Sequence, residues 1–326
     1  MAPKIISHTI PSVTGVTSIT VIEAFNAAMS NAVIECYDTS LSLGDSITFD
    51  IGYSGDSGKI FTGYVRNIET ELVGAKNRIV CEDELAKASD YFMASSDPNI
   101  PFDRSNIDTA DLIEDILNEA QITSFSDDTT LSVTWGTQGS VSFNLATAWQ
   151  ACKTIIDALA WHLYASRTGT AHLTEAKPYA EGGESITFTW NVGTDNIMNI
   201  NHTKSTEKLR NRVVVYGREG VTATASISSA FLPAGFFKTA VLASQLFDTN
   251  SFAQNVADVN LELLNRLTEG LTMTVEGDYT IEPRKWATVT VVDADISMDI
   301  TGDWFIYQVE HRIDQSGYLC NVTLTR

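Results

Sequence analysis

The stretch Leu43-Gly-Asp-Ser-Ile-Thr-Phe-Asp-Ile-Gly-Tyr53, followed by Ile60-Phe-Thr-Gly-Tyr-Val-Arg-Asn-Ile-Glu69, decides the fold. In its first part Ile47, Phe49 and Ile51 alternate with polar residues, the period-two signature of a strand with one buried face. Gly44-Asp45 before it and Gly52-Tyr-Ser-Gly55-Asp-Ser-Gly58 after it are turn chemistry. Phe61 to Leu72 reads as the next strand, and a turn at Val73-Gly-Ala-Lys76 returns the chain through Arg78-Ile-Val-Cys-Glu82. Several such strands in a short span predict a small antiparallel barrel or sandwich over residues 1–88.

Beyond the Pro98–Pro101 connection the period changes. Ala110, Ile113, Leu117 and Ala120 have helical spacing, with Asp108 placed as N-cap and Asp111 three residues on. A strand is predicted over Thr130–Trp135. A second helix over 145–160 carries the stripe Leu145, Ala148, Trp149, Cys152, Ile155 and Leu159. Trp161-His-Leu-Tyr-Ala165 and Ala171-His-Leu-Thr-Glu175 flank the turn Thr168-Gly169 as a hairpin, so residues 89–185 read as an α/β domain. Residues 186–326 read as a second barrel domain. Its strands begin at Thr187–Trp190, Ile197–Ile200 and Arg212–Gly217. An inserted segment, 218–250, has weak periodicity. A helix over 251–268 follows, with Phe252, Val256, Val259, Leu263 and Leu267 on one face, and the chain ends in strands. The predicted class is α+β, mainly β: two similar barrels flanking an α/β domain, with an inserted lobe in the C-terminal part.

The two ends echo one another. Ile47, Phe49 and Ile51 match Ala287, Val289 and Val291; Val65, Ile68, Leu72, Ile79 and Cys81 match Ile306, Val309, Ile313, Cys320 and Val322. Few letters are identical, Glu69 and Glu310 among them, so pattern rather than lettering repeats.

Composition narrows the function. With 326 residues the chain predicts two or three domains and buries about 75% of its unfolded surface. Its 44% hydrophobic content excludes disorder. A net charge of −20 repels phosphate backbones and argues against sequence-specific DNA binding, while leaving room for an acidic wall past which DNA slides. Cys36, Cys81, Cys152 and Cys320 form no CxxC pair and read as small apolar residues in a reducing compartment. The N-terminus lacks a signal-peptide layout and no 18-residue apolar run is present, so the sequons at Asn201 and Asn321 carry no glycosylation meaning.

The chemical signals are weak. Gly44-Asp45-Ser46 resembles the nucleophile block of GDSL-type esterases, which makes a hydrolase using Ser46 the alternative reading. None of His8, His162, His172, His202 and His311 has the Asp three residues before it that such a base needs. Gly55-Asp-Ser57-Gly58 resembles a trypsin-like serine block, but only His8 precedes it. His162 and His172 face each other across the predicted hairpin without a third ligand. Glu310-His311 and Asp293-Ala-Asp295 are isolated pairs, and no phosphate loop is present. Lys204, Lys208, Arg210 and Arg212 form the basic cluster, a solvated strand start or a contact for an acidic partner face. Phe231, Phe236 and Phe237, near Pro233 and Gly235, form either an interface patch or a small lobe core. Trp135, Trp190, Trp286 and Trp304 would have to be exposed to serve as sugar platforms, and alternation predicts that most are buried. No catalytic, cofactor-binding or metal residue is assigned.

Taken in order, several stretches resemble the tail hub or baseplate hub proteins of tailed phages, the family of late control protein D. They are Leu43–Tyr53 with Ile60–Glu69, Thr147-Ala-Trp-Gln-Ala to Trp161-His-Leu-Tyr with its Gly169 hairpin, and Asn211-Arg-Val-Val-Val-Tyr-Gly217. The last is Ile306-Tyr-Gln-Val-Glu-His-Arg-Ile-Asp314 with Gly317. The resemblance implies a structural virion protein without cofactor, a homotrimer whose two barrels per chain present six around the axis. Such a ring adapts a six-fold tail tube or distal tail protein to a three-fold spike or central fibre. It lets DNA pass without specific binding, does not insert in a membrane, and is assembled in the host cytoplasm. The chain is expected to carry no fused spike or lysozyme domain, unlike type VI secretion spike proteins, so the spike would be a separate partner. The 218–250 segment has no counterpart in the resemblance.

Overall fold

The computed structural model describes residues 5–25, 27–71, 73–93, 101–137, 139–175, 185–190, 195–265, 269–292 and 300–326. Six strands form first: β1 (Ile6–Thr9), β2 (Val13–Ala24), β3 (Asn31–Thr39), β4 (Ser46–Tyr53), β5 (Asp56–Glu71) and β6 (Lys76–Asp83). They pair antiparallel in the order β1-β4-β5-β6-β3-β2. The alternating residues Ile47, Phe49 and Ile51 are buried, as period two predicts. Ser54-Gly55 closes the β4–β5 hairpin, and Gly55 takes φ +85°, a region a side chain disfavours.

Helix α1 (Ala86–Asp90) leads into β7 (Phe102–Arg104), β8 (Ile107–Asp108), α2 (Thr109–Glu119), β9 (Phe125–Asp127), β10 (Thr134–Trp135), β11 (Val141–Phe143), α3 (Ala148–Leu159), β12 (Trp161–Ala165) and β13 (Ala171–Glu175). Asp108 caps α2 as expected, accepting from the Ala110 amide at 3.0 Å. The second helix starts later than its apolar stripe suggests. Thr147 and Gln150 form a reciprocal capping box that fixes the start at Ala148, leaving Leu145 exposed at φ 58°. The strand expected from Thr130 shortens to Thr134–Trp135, because only those residues find a partner, in β8.

The chain continues through β14 (Ile186–Trp190), β15 (Ile197–Lys204), β16 (Arg212–Tyr216), β17 (Thr222–Ser226), β18 (Thr239–Ala243), α4 (Asn250–Leu264), β19 (Glu269–Glu276), β20 (Trp286–Val291), β21 (Gly302–Asp314) and β22 (Gly317–Thr325). The second half pairs in the order β14-β20-β21-β22-β19-β15. This is the first half's order, strand for strand. The register repeats as well: Ser46 opposes Tyr64 as Trp286 opposes Phe305, and Ala32, Ile34 and Cys36 of β3 correspond to Leu271, Met273 and Val275 of β19, all buried. Two irregularities recur. The β2–β3 ladder slips between Val16 and Ser18 and the β15–β19 ladder between Ile197 and Asn199; the β5–β6 ladder slips between Val65 and Asn67 and the β21–β22 ladder between Ile306 and Gln308. Anchored on these bulges, Ile79 and Cys81 correspond to Val322 and Leu324, two residues beyond the match the sequence suggests. The turn between β21 and β22 is shorter than that between β5 and β6. The halves differ at one strand: β1 runs antiparallel to β4, and β14 parallel to β20.

β2 pairs with β21, so the two halves form a single twelve-stranded sheet over one core. Among the described residues no rung closes either half into a separate barrel. A second core joins α2 and α3 to β16, β17 and α4. Sequence reading opens the insertion at residue 218 and gives Arg212–Tyr216 to the barrel. In the structure β16 is the middle strand of a three-stranded sheet with β17 and β18, and α4 packs on it. Alternation is identical in either sheet, so period alone does not reveal the partner. Leu72, Pro98, Leu267 and the Asp293-Ala-Asp295 pair lie outside the described residues.

Candidate functional site, the seam between the two halves

The halves meet where Ile19–Ala24 of β2 runs antiparallel to Gln308–Ile313 of β21. Ile19, Val21 and Glu23 point into the core, opposite Ile313, His311 and Val309. Glu23 thus buries a carboxylate, at 3% exposure, which is tenable only with charged or hydrogen-bonded partners.

Its partner comes from elsewhere in the chain. The turn between β12 and β13, in which Gly169 takes φ +86°, carries Arg167 into the seam. The guanidinium donates to both carboxylate oxygens of Glu23, with Nε at 3.2 Å from each, and also to the carbonyls of Tyr279 and Ile281, the latter at 2.8 Å. The Arg167 carbonyl in turn accepts from Thr62 Oγ1 of β5 at 2.8 Å. One hairpin tip therefore grips both halves of the sheet. Burial works against the charge on Arg167, but the charge and hydrogen bonds of Glu23, with Glu282 and Tyr318 adding to them, hold the guanidinium above its ordinary pKa.

His311 lies beside this pair, fully buried. Nε2 lies 3.1 Å from both the Ile281 carbonyl and Arg167 Nη2, and Nδ1 lies 2.9 Å from the Tyr318 hydroxyl. Burial, reinforced by the Arg167 charge, pushes the ring's pKa well below the usual imidazole range. His162, packed 4.1 Å from the Phe25 ring, is pushed down to about 3 by burial and then by the Arg284 charge. Arg284 lies over the Tyr164 ring at 3.9 Å, and Asp83, which accepts from the Ser30 and Leu85 amides, is raised to about 7 by burial. These groups are strongly perturbed, yet the hydrogen bonds of Glu23, Arg167 and His311 hold the junction together, and those of Asp83 fix the end of β6. A polar groove of about 510 Å³ follows the seam, lined by Thr17, Thr20, Glu35, Glu310 and Arg312 among others.

The residues singled out from sequence fall elsewhere. Ser46 opens β4 in an exposed position opposite Tyr64, and among the described residues no hydrogen bond joins it to a histidine. Ser57 lies in the β5 hairpin, also exposed. His162 and His172 are offset rather than opposed: His162 pairs with Thr174, and His172 with Tyr164. His172 bonds Asp128 at 2.7 Å, a contact that holds the Asp128 carboxyl below its ordinary range. Among the described residues no group of three metal-ligating side chains gathers. Of the basic cluster, Lys204 meets Glu269 at 3.1 Å, and Arg210 donates to the Glu207 and Leu209 carbonyls. Trp135 and Trp304 are buried, whereas Phe231, Phe236 and Phe237 are exposed, Phe231 at 61%. The Glu23–Arg167 pair escaped sequence reading. Its trace is parity, since Glu23 occupies the apolar phase set by Ile19 and Val21.

No family model matches the chain, nor does any curated protein. Solved structures do. The tail protein from Neisseria meningitidis MC58 superimposes with TM-score 0.76 at 13% identity, covering 99% of this chain and 96% of that one. The fold is that of phage tail proteins. The 43 kDa tail protein of prophage MuSo2 from Shewanella oneidensis gives TM-score 0.72 at 13% identity, covering 99% and 98%. A type VI secretion component of E. coli, described as similar in structure to the T4 bacteriophage tail proteins gp27 and gp5, gives 0.60 at 10% identity, covering 98% of this chain and 76% of that one. The tail-protein fold thus extends over nearly the whole chain.

Proposed function

We propose that this chain is a structural tail or baseplate hub subunit that forms a homotrimeric ring. The ring adapts a six-fold tail tube or distal tail protein to a separate three-fold spike or central fibre. The observation that carries this reading is the repeated strand order and register. Two near-equivalent halves in each of three copies offer six similar faces on one side, while the single α/β unit and lobe of each copy keep threefold symmetry on the other. The tail-protein fold of the compared structures supports it. The charge of −20 supports a lumen that DNA traverses without adhering. The subunit acts in the virion tail after assembly in the host cytoplasm, and has no catalytic role, cofactor or membrane insertion.

Light scattering across a concentration series, alone and with tube and spike proteins, tests this. The expected mass is three times the 35.6 kDa of one chain. A species that stays monomeric or dimeric under all those conditions overturns the ring.

A further inference from the structure

Among the described residues the repeat leaves two strand edges without partners, and each matches the other. β2 corresponds to β15, and β21 to β5, as the shared bulges establish. Within the chain β2 is laid along the outer end of β21. Its counterpart β15 ends the strand path and pairs only with β19. The outer end of β5, Arg66–Glu71, lies beyond the reach of β4, which pairs only as far as Tyr64. Among the described residues no strand covers either edge. On β21 the inward-facing His311 is buried beneath β2, and Gln308 and Glu310 are half-buried; their counterparts on β5, Thr70, Asn67 and Glu69, are all exposed.

We infer that β15 of one copy adds to the outer end of β5 of a second copy, a head-to-tail seam with the same pairing as the β2–β21 seam inside each chain. The inference rests on the ring reading above and names the surface each copy uses. Transferring the internal register sets Asn201 opposite Glu71, His202 opposite Thr70, Thr203 opposite Glu69 and Lys204 opposite Ile68 of the neighbour. The chemistry of the two edges suits the contact. Lys204, with Lys208 and Arg210 just after β15, brings positive charge, while Glu69 and Glu71 bring negative charge. Exposed ladder groups on both edges supply the main-chain bonds of strand addition. The contact is heterologous, and a rotation of one third of a turn between copies closes it into the trimeric ring.

Paired cysteines test the register. In the internal seam the Phe25 amide bonds the Tyr307 carbonyl, which makes Ile22–Glu310 a non-hydrogen-bonded pair, the closer kind. Its counterpart is Thr203 with Glu69, and the four native cysteines are buried. Oxidation of the T203C/E69C variant is expected to yield covalent dimers and closed trimers on non-reducing gels. T203C/E71C, two residues out of register, should cross-link about tenfold more slowly, because disulfide geometry tolerates little extra separation. If light scattering shows assembly while T203C/E69C fails to cross-link, or both variants react alike, the seam is wrong and the ring stands. Cross-linking at the predicted register into open chains supports the seam and counts against a closed trimer. A chain that stays monomeric at every concentration without cross-linking overturns both.

Discussion

β21 and β5 are one strand built twice, each with the same bulge and each followed in the sheet by an antiparallel return strand, yet they end differently. On the outer end of β21 His311 is buried and Gln308 and Glu310 are half-buried; at the corresponding places on β5, Thr70, Asn67 and Glu69 are exposed. The difference is coverage. β2 lies on one and nothing described lies on the other. In a duplicated sheet, side-chain chemistry follows what covers each copy, and an exposed copy of a covered strand marks where a further strand fits.

The largest test of this contrast is to break the bolt that only the internal seam has. Arg167→Ala leaves the buried Glu23 carboxylate without its partner and is expected to lower stability by about 3–5 kcal/mol, read from the denaturant midpoint. The paired replacement Arg167→Met with Glu23→Leu removes both charges and should cost much less. Equal losses for the two would mean that Arg167 acts through packing rather than by answering Glu23. Next in size comes the equivalence of the halves themselves. Ile34→Ala in β3 and Met273→Ala in β19 delete fully buried side chains at matching positions, and each should cost about 2–5 kcal/mol. If one is nearly neutral, the two halves do not share one packing scheme.

Acid sharpens the comparison further, because the perturbed histidines gather at the covered seam. His162 falls to about 3 and His311 well below its ordinary value, so both stay neutral in the folded chain while the unfolded chain binds protons near pH 6.5. Stability is therefore fully present above pH 6.5 and is lost as pH falls below it, by up to about 1.4 kcal/mol per pH unit for each ring. Asp83, raised to about 7, works the other way between pH 4 and 7, so the informative reading is a difference between variants. Midpoints at pH 7.5 and 5.5 should show His162→Phe losing about 1 kcal/mol less than the unaltered chain over that interval. Equal losses would mean that His162 titrates normally.

Much of the fold was legible because strand alternation and helix spacing are local. Ile47–Ile51, the Asp108 cap and the Gly169 hairpin needed no distant information. Partner choice was not local. Arg212–Tyr216 alternates as a barrel strand would, but Val213 and Val215 pack in the other core, beside α4. The internal repeat was visible in Ile47, Phe49 and Ile51 against Ala287, Val289 and Val291, whereas the return strand slipped by two residues because turn length, not period, sets that register. At the seam the sequence offered one clue, a glutamate in the apolar phase of β2. Its partner Arg167 lies 144 residues away, a separation no periodicity spans.

The smallest effect is the most selective. Glu69 and Glu310 are an identical pair at matching places in the repeat, so the same substitution in each reads coverage directly. Glu69 is exposed on the uncovered end of β5, and its contact with Arg78, at 3.4 Å between exposed side chains, is worth well under 1 kcal/mol. Glu69→Lys should shift the monomer's denaturant midpoint by no more than about 0.5 kcal/mol, while weakening self-association in sedimentation runs, because it sets a cation beside Lys204 of the incoming strand. Glu310 lies opposite Ile22 in the covered seam and is reached by Asn321 Nδ2 at 3.4 Å. Glu310→Lys should therefore cost the monomer about 1 kcal/mol and leave association unchanged. The reverse pattern, with stability lost at 69 and association lost at 310, would mean that β5 already has a partner within its own chain and that the two halves are alike in strand order only.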